Sequence, residues 1–207
     1  MTRKALIEQI RRLYYNGIPT DDANLTENEV NQYISQAIAY MARVNYSDSI
    51  KLDGIENISD AFYATFKGFV MSKDNDTGYY YTELPHPPLG LARGYGIATV
   101  TFPVSTGLAK APIPISPREL DYIDQVSKPP SKIFYWAEGK KLWFKSYINL
   151  LDKSPIVRMI SAEDTDLTSE LNVPVEYVTD MVNWILNQLR IRKSMPEDIT
   201  SDGLDKA

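Results

Sequence analysis

The chain has 207 residues, with 22 Lys and Arg against 27 Asp and Glu, a formal net charge of −5, one histidine and no cysteine. That length suits one domain or two small ones, and an apolar fraction of 43 % is enough for a real core. The missing cysteine excludes disulfides, thiol catalysis and thiolate metal sites, and the acidic balance excludes a surface that is basic on average, as non-specific nucleic-acid binding requires.

Residues 3–15 are predicted to be helical, because Ala5, Leu6, Ile10, Leu13 and Tyr14 recur at three- and four-residue spacings. Asn16-Gly17-Ile18-Pro19 stops this helix, and Arg11 and Arg12 in its last turn meet the negative end of the helix dipole. The same polar residues, with Glu8 and Gln9, interrupt any apolar leader, so no signal peptide is expected. No stretch reaches the roughly 18 apolar residues of a membrane span. Thr26-Glu27-Asn28-Glu29 reads as a capping box opening a second helix. Its stripe is Val30, Tyr33, Ile34, Ala37, Ile38 and Met41, and it is expected to run to about Val44.

The middle of the chain changes character. Phe62, Ala64 and Phe66 alternate and Val70 keeps their parity, which predicts a strand over 61–71 with a bulge allowed at Gly68. A turn at 73–78 leads into a returning strand, Tyr79 to Leu84, as a hairpin or a longer β-arch. Prolines at 85, 87 and 88 and glycines at 90, 94 and 96 keep 84–96 irregular. Ile97–Phe102 reads as a strand, and Ala111–Ile115 as extended because each proline constrains the residue before it. Ser116-Pro117-Arg118-Glu119 opens a short helix reaching about Val126, which Lys128-Pro129-Pro130 ends. The strongest β signal is the hairpin Lys132–Lys145, turning at Ala137-Glu138-Gly139-Lys140. A strand over Ile156–Ile160 follows.

The last helix is expected from near Asn172, with Pro174 in its first turn and Val178, Met181, Val182, Ile185, Leu186 and Leu189 as its stripe. The polar residues 194–207 read as a loose acidic tail. The fold class expected is α+β, a helical bundle of N- and C-terminal helices with an inserted antiparallel β module and long Pro/Gly-rich loops. The parts are 1–57, 58–160, 161–193 and the tail.

Chemistry-bearing patterns are thin. His86 stands in a proline-rich loop and reads as a packing residue; serine has no nucleophile-elbow setting. Asp74-Asn75-Asp76-Thr77-Gly78 misses the spacing of a calcium loop, and Glu163-Asp164-Thr165-Asp166 reads as a solvated loop. The glycines of 90–96 lack the lysine step of a phosphate loop, so they read as turns, with Arg93 available to a partner. Glu83, Glu119 and Glu138 leave a carboxylate hydrolase as one alternative, and the tyrosine-rich middle leaves a carbohydrate- or receptor-contacting module as another. Neither cofactor nor metal is expected. Tyr79-Tyr80-Tyr81 must expose at least one side chain if it is a strand, and tyrosine is favoured at interfaces. The interface candidates are Tyr79, Tyr80, Tyr81, Pro87, Leu89, Arg93, Tyr95 and Phe102.

Several segments together resemble the head–tail connector, or portal adaptor, proteins of tailed bacteriophages, in particular of the short-tailed crAss-like group. They are Leu6–Leu13, Leu25–Ile34, Leu84–Leu89, Pro114–Leu120 and the hairpin Phe134–Phe144, and the resemblance spans roughly residues 4–192. It implies a non-enzymatic virion protein at the portal vertex, assembled in the host cytoplasm. It also implies a closed ring of about twelve copies between the portal and other tail or ring proteins, in transient contact with the passing double-stranded DNA, with no membrane partner. Closure requires a heterologous interface. The inserted β region departs from the mostly helical small adaptors.

Overall fold

The computed structural model describes residues 1–17, 25–54, 57–91, 94, 96–103, 111–120, 122–123, 132–160, 162, 167–168 and 170–194. Its elements are α1 (Arg3–Tyr14), α2 (Glu27–Asp53), β1 (Tyr63–Phe66), β2 (Ser72–Lys73), β3 (Tyr80–Glu83), β4 (Ile97–Thr101), β5 (Ile113–Pro114), β6 (Ile133–Glu138), β7 (Lys141–Ser146), β8 (Ile156–Ile160) and α3 (Val175–Ser194). The fold is mixed α+β, with helices at both ends of the chain and β-sheet between them. None of the described helices is long and apolar enough to cross a membrane. Two compact units emerge. One joins Met1–Met41 to Asp166–Leu171 and Val175–Ala207; the other holds Ala42–Thr165 and Asn172–Pro174.

In the first unit the apolar stripes meet as periodicity requires. Leu6, Ile7 and Ile10 of α1, Val30, Ile34, Ala37, Ile38 and Met41 of α2, and Met181, Val182, Ile185 and Leu189 of α3 are all buried. The buried face of α1 is rotated from the expected one. Ala5 and Leu13 are exposed, whereas Ile7 and Arg3 are buried. The Arg3 guanidinium donates to Asn31 Oδ1 at 2.8 Å and Ser35 Oγ at 3.3 Å, which makes its burial tolerable. Thr2 caps α1 by accepting the Ala5 N–H, and the residues beside it pair with the segment before α3: Lys4 N–H donates to Leu167 O and Leu171 N–H to Met1 O.

Helix ends show where local signals hold and where they yield. Asn16, not Gly17, takes the left-handed conformation at the end of α1 (φ 54°), and the Gly17 N–H reaches back to Arg12 O at 2.9 Å. At the start of α2, Thr26 Oγ1 accepts the Glu29 N–H at 3.3 Å, but the Glu29 carboxylate pairs with Arg192 of α3 rather than closing the box. Helix α2 also continues past Val44 to Asp53. No glycine or proline intervenes until Gly54, whose positive φ of 67° ends it.

The second unit is built of two sheets, one ordered β1-β8-β4 and the other β2-β3-β7-β6-β5. Val100, Val157 and Met159 of the first share one apolar cluster with Tyr80, Ile133, Tyr135, Leu142 and Phe144 of the second. The predicted hairpin β6–β7 forms, from Ile133↔Ser146 to Glu138↔Lys141, but it turns at Gly139-Lys140, one residue beyond the expected turn over 137–140. Of the two alternatives for 61–71 with 79–84 the hairpin does not form; β1 and β3 lie in different sheets, as in an arch. Gly68 (φ 81°) separates a four-residue β1 from β2; β1 pairs antiparallel with β8, and only β2 pairs with β3. Val70, read as sharing the parity of buried Phe62, is 79 % exposed as a result. One pairing is parallel, β5 on β6, which corrects the expectation of an all-antiparallel module.

Candidate functional site

Two surfaces of the second unit carry the sequence candidates. The first is the outer face of the five-stranded sheet. Side chains alternate along a strand, so Tyr80 and Thr82 of β3 point inward, with the Thr82 hydroxyl donating to Val70 O at 2.9 Å. Tyr79 and Tyr81 are left half-exposed on the other face. Tyr81 stands opposite Trp143, and Trp143 opposite Trp136. The Tyr81 and Trp143 rings lie 5.2 Å apart with a 46° tilt, and the two indoles 6.2 Å apart and nearly parallel at 10°. Tyr79 meets Trp136 edge-on at 5.5 Å.

Lysines complete this row. Lys141 Nζ stands 4.6 Å over the Tyr81 ring and 5.5 Å over Trp143, and Lys145 Nζ stands 5.5 Å over Tyr79. Glu83 and Glu138 flank Lys141 in register. A ligand stacking on Tyr81 or Trp143 from the lysine side must therefore displace an ammonium already held by the ring faces. Cross-strand pairs of this kind also stiffen the sheet by about 0.2–1 kcal/mol each.

The second surface is a cleft of about 730 Å³ at the β5–β6 end of the same sheet. One wall is the loop from Pro87 to Leu91; the other is Pro114 to Pro117 with Glu119, and Tyr135, Trp136 and Ala137 contribute from β6. Prolines on both walls hold the loops extended without long helices or strands. Gly96, at the base of the first wall, is packed so closely that a Cβ there would overlap the Leu89 carbonyl oxygen. The Ser116 turn is fixed by the predicted capping box, with the Ser116 N–H donating to Glu119 Oε2 at 2.8 Å.

Of the sequence candidates, Pro87 and Leu89 line the cleft, and Tyr79 and Tyr81 lie on the outer face. Tyr80 and Phe102 are buried in the core instead; Phe102 packs 5.8 Å from Phe144. Arg93 and Tyr95 lie outside the described residues, as do the acidic run 163–166, the helix end near Val126 and the tail from 195. His86 is buried against Phe66, ring centroids 5.1 Å apart, a packing role. The 73–78 turn is a hydrogen-bonded turn: the Thr77 hydroxyl at 2.6 Å and the Thr77 N–H at 3.0 Å hold the Asp74 carboxyl below the usual carboxylate range. Among the described residues no group of three or more His, Asp or Glu is placed to hold a metal ion. Of the three glutamates weighed for hydrolysis, only Glu119 lines the cleft.

Ala137 and Pro117 were not among the sequence candidates, and of the two tryptophans expected in the core Trp136 is buried, at 7 % exposure, whereas Trp143 is half-buried. The two indoles stand directly opposite only in the observed register; a turn over 137–140 would have set Trp136 opposite Lys141.

Tyr135 lies between the core and the cleft, and burial raises its phenol pKa above the ordinary value. A folded-state pKa above the unfolded value of about 10 gives stability that is complete below that pH and is lost as pH rises through the folded value. Denaturation midpoints measured across the alkaline range are therefore expected to fall, and Tyr135→Phe to flatten that fall. An unchanged alkaline slope in the variant sinks the assignment.

No protein-family model matches this chain, and no curated protein matches it.

Proposed function

We propose that the protein is a non-enzymatic structural subunit of a tailed-phage particle, a ring component that joins portal to tail and leaves a passage for the genome. The observation that carries this reading is the division of the chain between two units. The terminal helices pack together as one, and the β module between them forms a cleft from its segments Pro87–Leu91 and Pro114–Pro117. Such an arrangement suits a helical bundle that packs in a ring while loops reach neighbouring rings. About twelve copies, the portal and the next tail protein are the partners in this reading, and DNA touches the ring only in transit. The acidic net charge disfavours retention of DNA on a channel wall.

Cryo-electron microscopy of purified particles tests the reading. The expected result is density for this chain as a symmetric ring at the portal vertex. Its absence from particles by mass spectrometry rejects it.

A carbohydrate-contacting role is the second reading, favoured by the Tyr81–Trp143–Trp136 row. Lys141 over the first two rings counts against it. Binding on an oligosaccharide array that Trp143→Ala abolishes is the result that would reverse the order of the two readings.

A further inference from the structure

The residues of β6 are unevenly paired. On one side β7 pairs all of them, from Ile133 to Glu138. On the other side the two-residue β5 reaches only Phe134 and Tyr135, with the Ile115 N–H donating to Tyr135 O at 2.9 Å. The N–H and C=O of one strand residue point to the same side, and the side alternates along the strand. Ala137 therefore presents its N–H and C=O in the same direction as Tyr135, away from β7. Among the described residues no strand pairs with it there, its side chain is exposed, and it lines the cleft beside Trp136 and Gly139.

We propose that this open half of the β6 edge binds an extended peptide segment of a partner protein by strand addition. A backbone donor and acceptor presented together in a cleft match the N–H and C=O of another extended backbone. The walls fix the side chains of the occupant. Pro87, Leu89 and Ile97 call for apolar residues, and the Glu119 carboxylate calls for one lysine or arginine. The chain itself shows the type on the lower half of the same edge. Ile113-Pro114-Ile115 lies extended on β6, with the Ile115 N–H turned toward the strand. An edge left open in this way is otherwise an aggregation liability.

The site does not depend on the connector reading, because the test uses the isolated full chain. The probe is a synthetic peptide, Lys-Ala-Pro-Ile-Pro-Ile, with a Gly-Ser peptide of the same length as control. Nuclear magnetic resonance and amide hydrogen exchange are the readouts. In the free protein the Ala137 amide is expected to exchange freely. With the probe it is slowed by about tenfold or more, and shifts concentrate on Trp136–Gly139. Methylating the amide nitrogen of the peptide's central isoleucine, which leaves the protein intact, is expected to weaken binding by about tenfold or more. Ala137→Pro, which removes the outward N–H, abolishes binding while the rest of the spectrum persists. The proposal is overturned if the Ala137 amide is already protected in the free chain, if neither peptide binds, or if the methylated probe binds as well as the parent. Binding by a second copy of this chain through the same segment would appear as peptide-competed self-association and would identify the partner.

Discussion

Truncating Phe144 to alanine is expected to destabilise the protein by about 3–5 kcal/mol. Phe144 is fully buried in the middle of β7, with Phe102 5.8 Å and Tyr135 6.5 Å away between ring centroids. It belongs to the cluster shared by both sheets, so the hole it leaves has walls from each and cannot collapse around one flexible loop. The adjacent Trp143 is the internal control. It points to the opposite face, where its partners are Tyr81, Trp136 and the Lys141 ammonium. Trp143→Ala is expected to cost about 1 kcal/mol or less. Chemical denaturation of both variants, read by far-ultraviolet circular dichroism, decides the matter. Equal losses would mean that the two faces of β7 are not inner and outer as described.

Gly96→Ala is the second large effect. The added Cβ would overlap the Leu89 carbonyl oxygen and stand 2.9 Å from Leu89 C and 3.2 Å from Leu89 N. All three are backbone atoms, so no side-chain rotation relieves the clash and the loop must shift away from the start of β4. The Gly96 carbonyl also accepts the Ile160 N–H at 2.9 Å, which ties the same point to β8. The expected cost is about 1–3 kcal/mol, with loss of the Pro87–Leu91 wall of the cleft. Gly90→Ala in the same loop meets nothing within 4 Å and has no left-handed φ. It is expected to be neutral or to stabilise by about 0.4–1 kcal/mol through the unfolded chain. A Gly96→Ala protein as stable as Gly90→Ala, with unchanged cleft resonances, contradicts the packing described.

Local patterns were the legible part of this molecule. The stripe of α2 predicted Val30, Ile34, Ala37, Ile38 and Met41 as buried, and they are. The stripe of α3 did the same for Met181, Val182, Ile185 and Leu189, while Val178 and Leu186 of that stripe and Tyr33 of the α2 stripe are only half-buried. The Ser116 box forms at the expected residues, and the β6–β7 hairpin forms with its turn one residue further on, because each rests on neighbours a few positions apart. What failed was non-local. Phe62, Phe66 and Val70 share a parity in sequence, but Gly68 breaks the strand. Tyr63–Phe66 then finds Val157–Ile160, nearly a hundred residues on in sequence. No local signal identifies that partner.

The site followed the same rule. Alternation alone required the three consecutive tyrosines to divide between two faces, but it did not say which tyrosine faced the core. Pairing of β3 with β7 placed Tyr80 opposite Phe144 and inward, and turned Tyr81 toward Trp143 and outward. Phe102, an interface candidate in the sequence, is core because it packs on Phe144.

Sequence by itself determined the mixed α+β class, the buried faces of α2 and α3, the presence of the central hairpin and the poverty of recognisable catalytic patterns, since all of these depend on residue type and short spacing. Tertiary structure alone decided the two-sheet pairing, the close approach of Gly96 to Leu89 and the open edge at Ala137. Each of those depends on which distant segment wins the same backbone hydrogen bonds and the same apolar surface, a competition settled over the whole chain and not within any window of it.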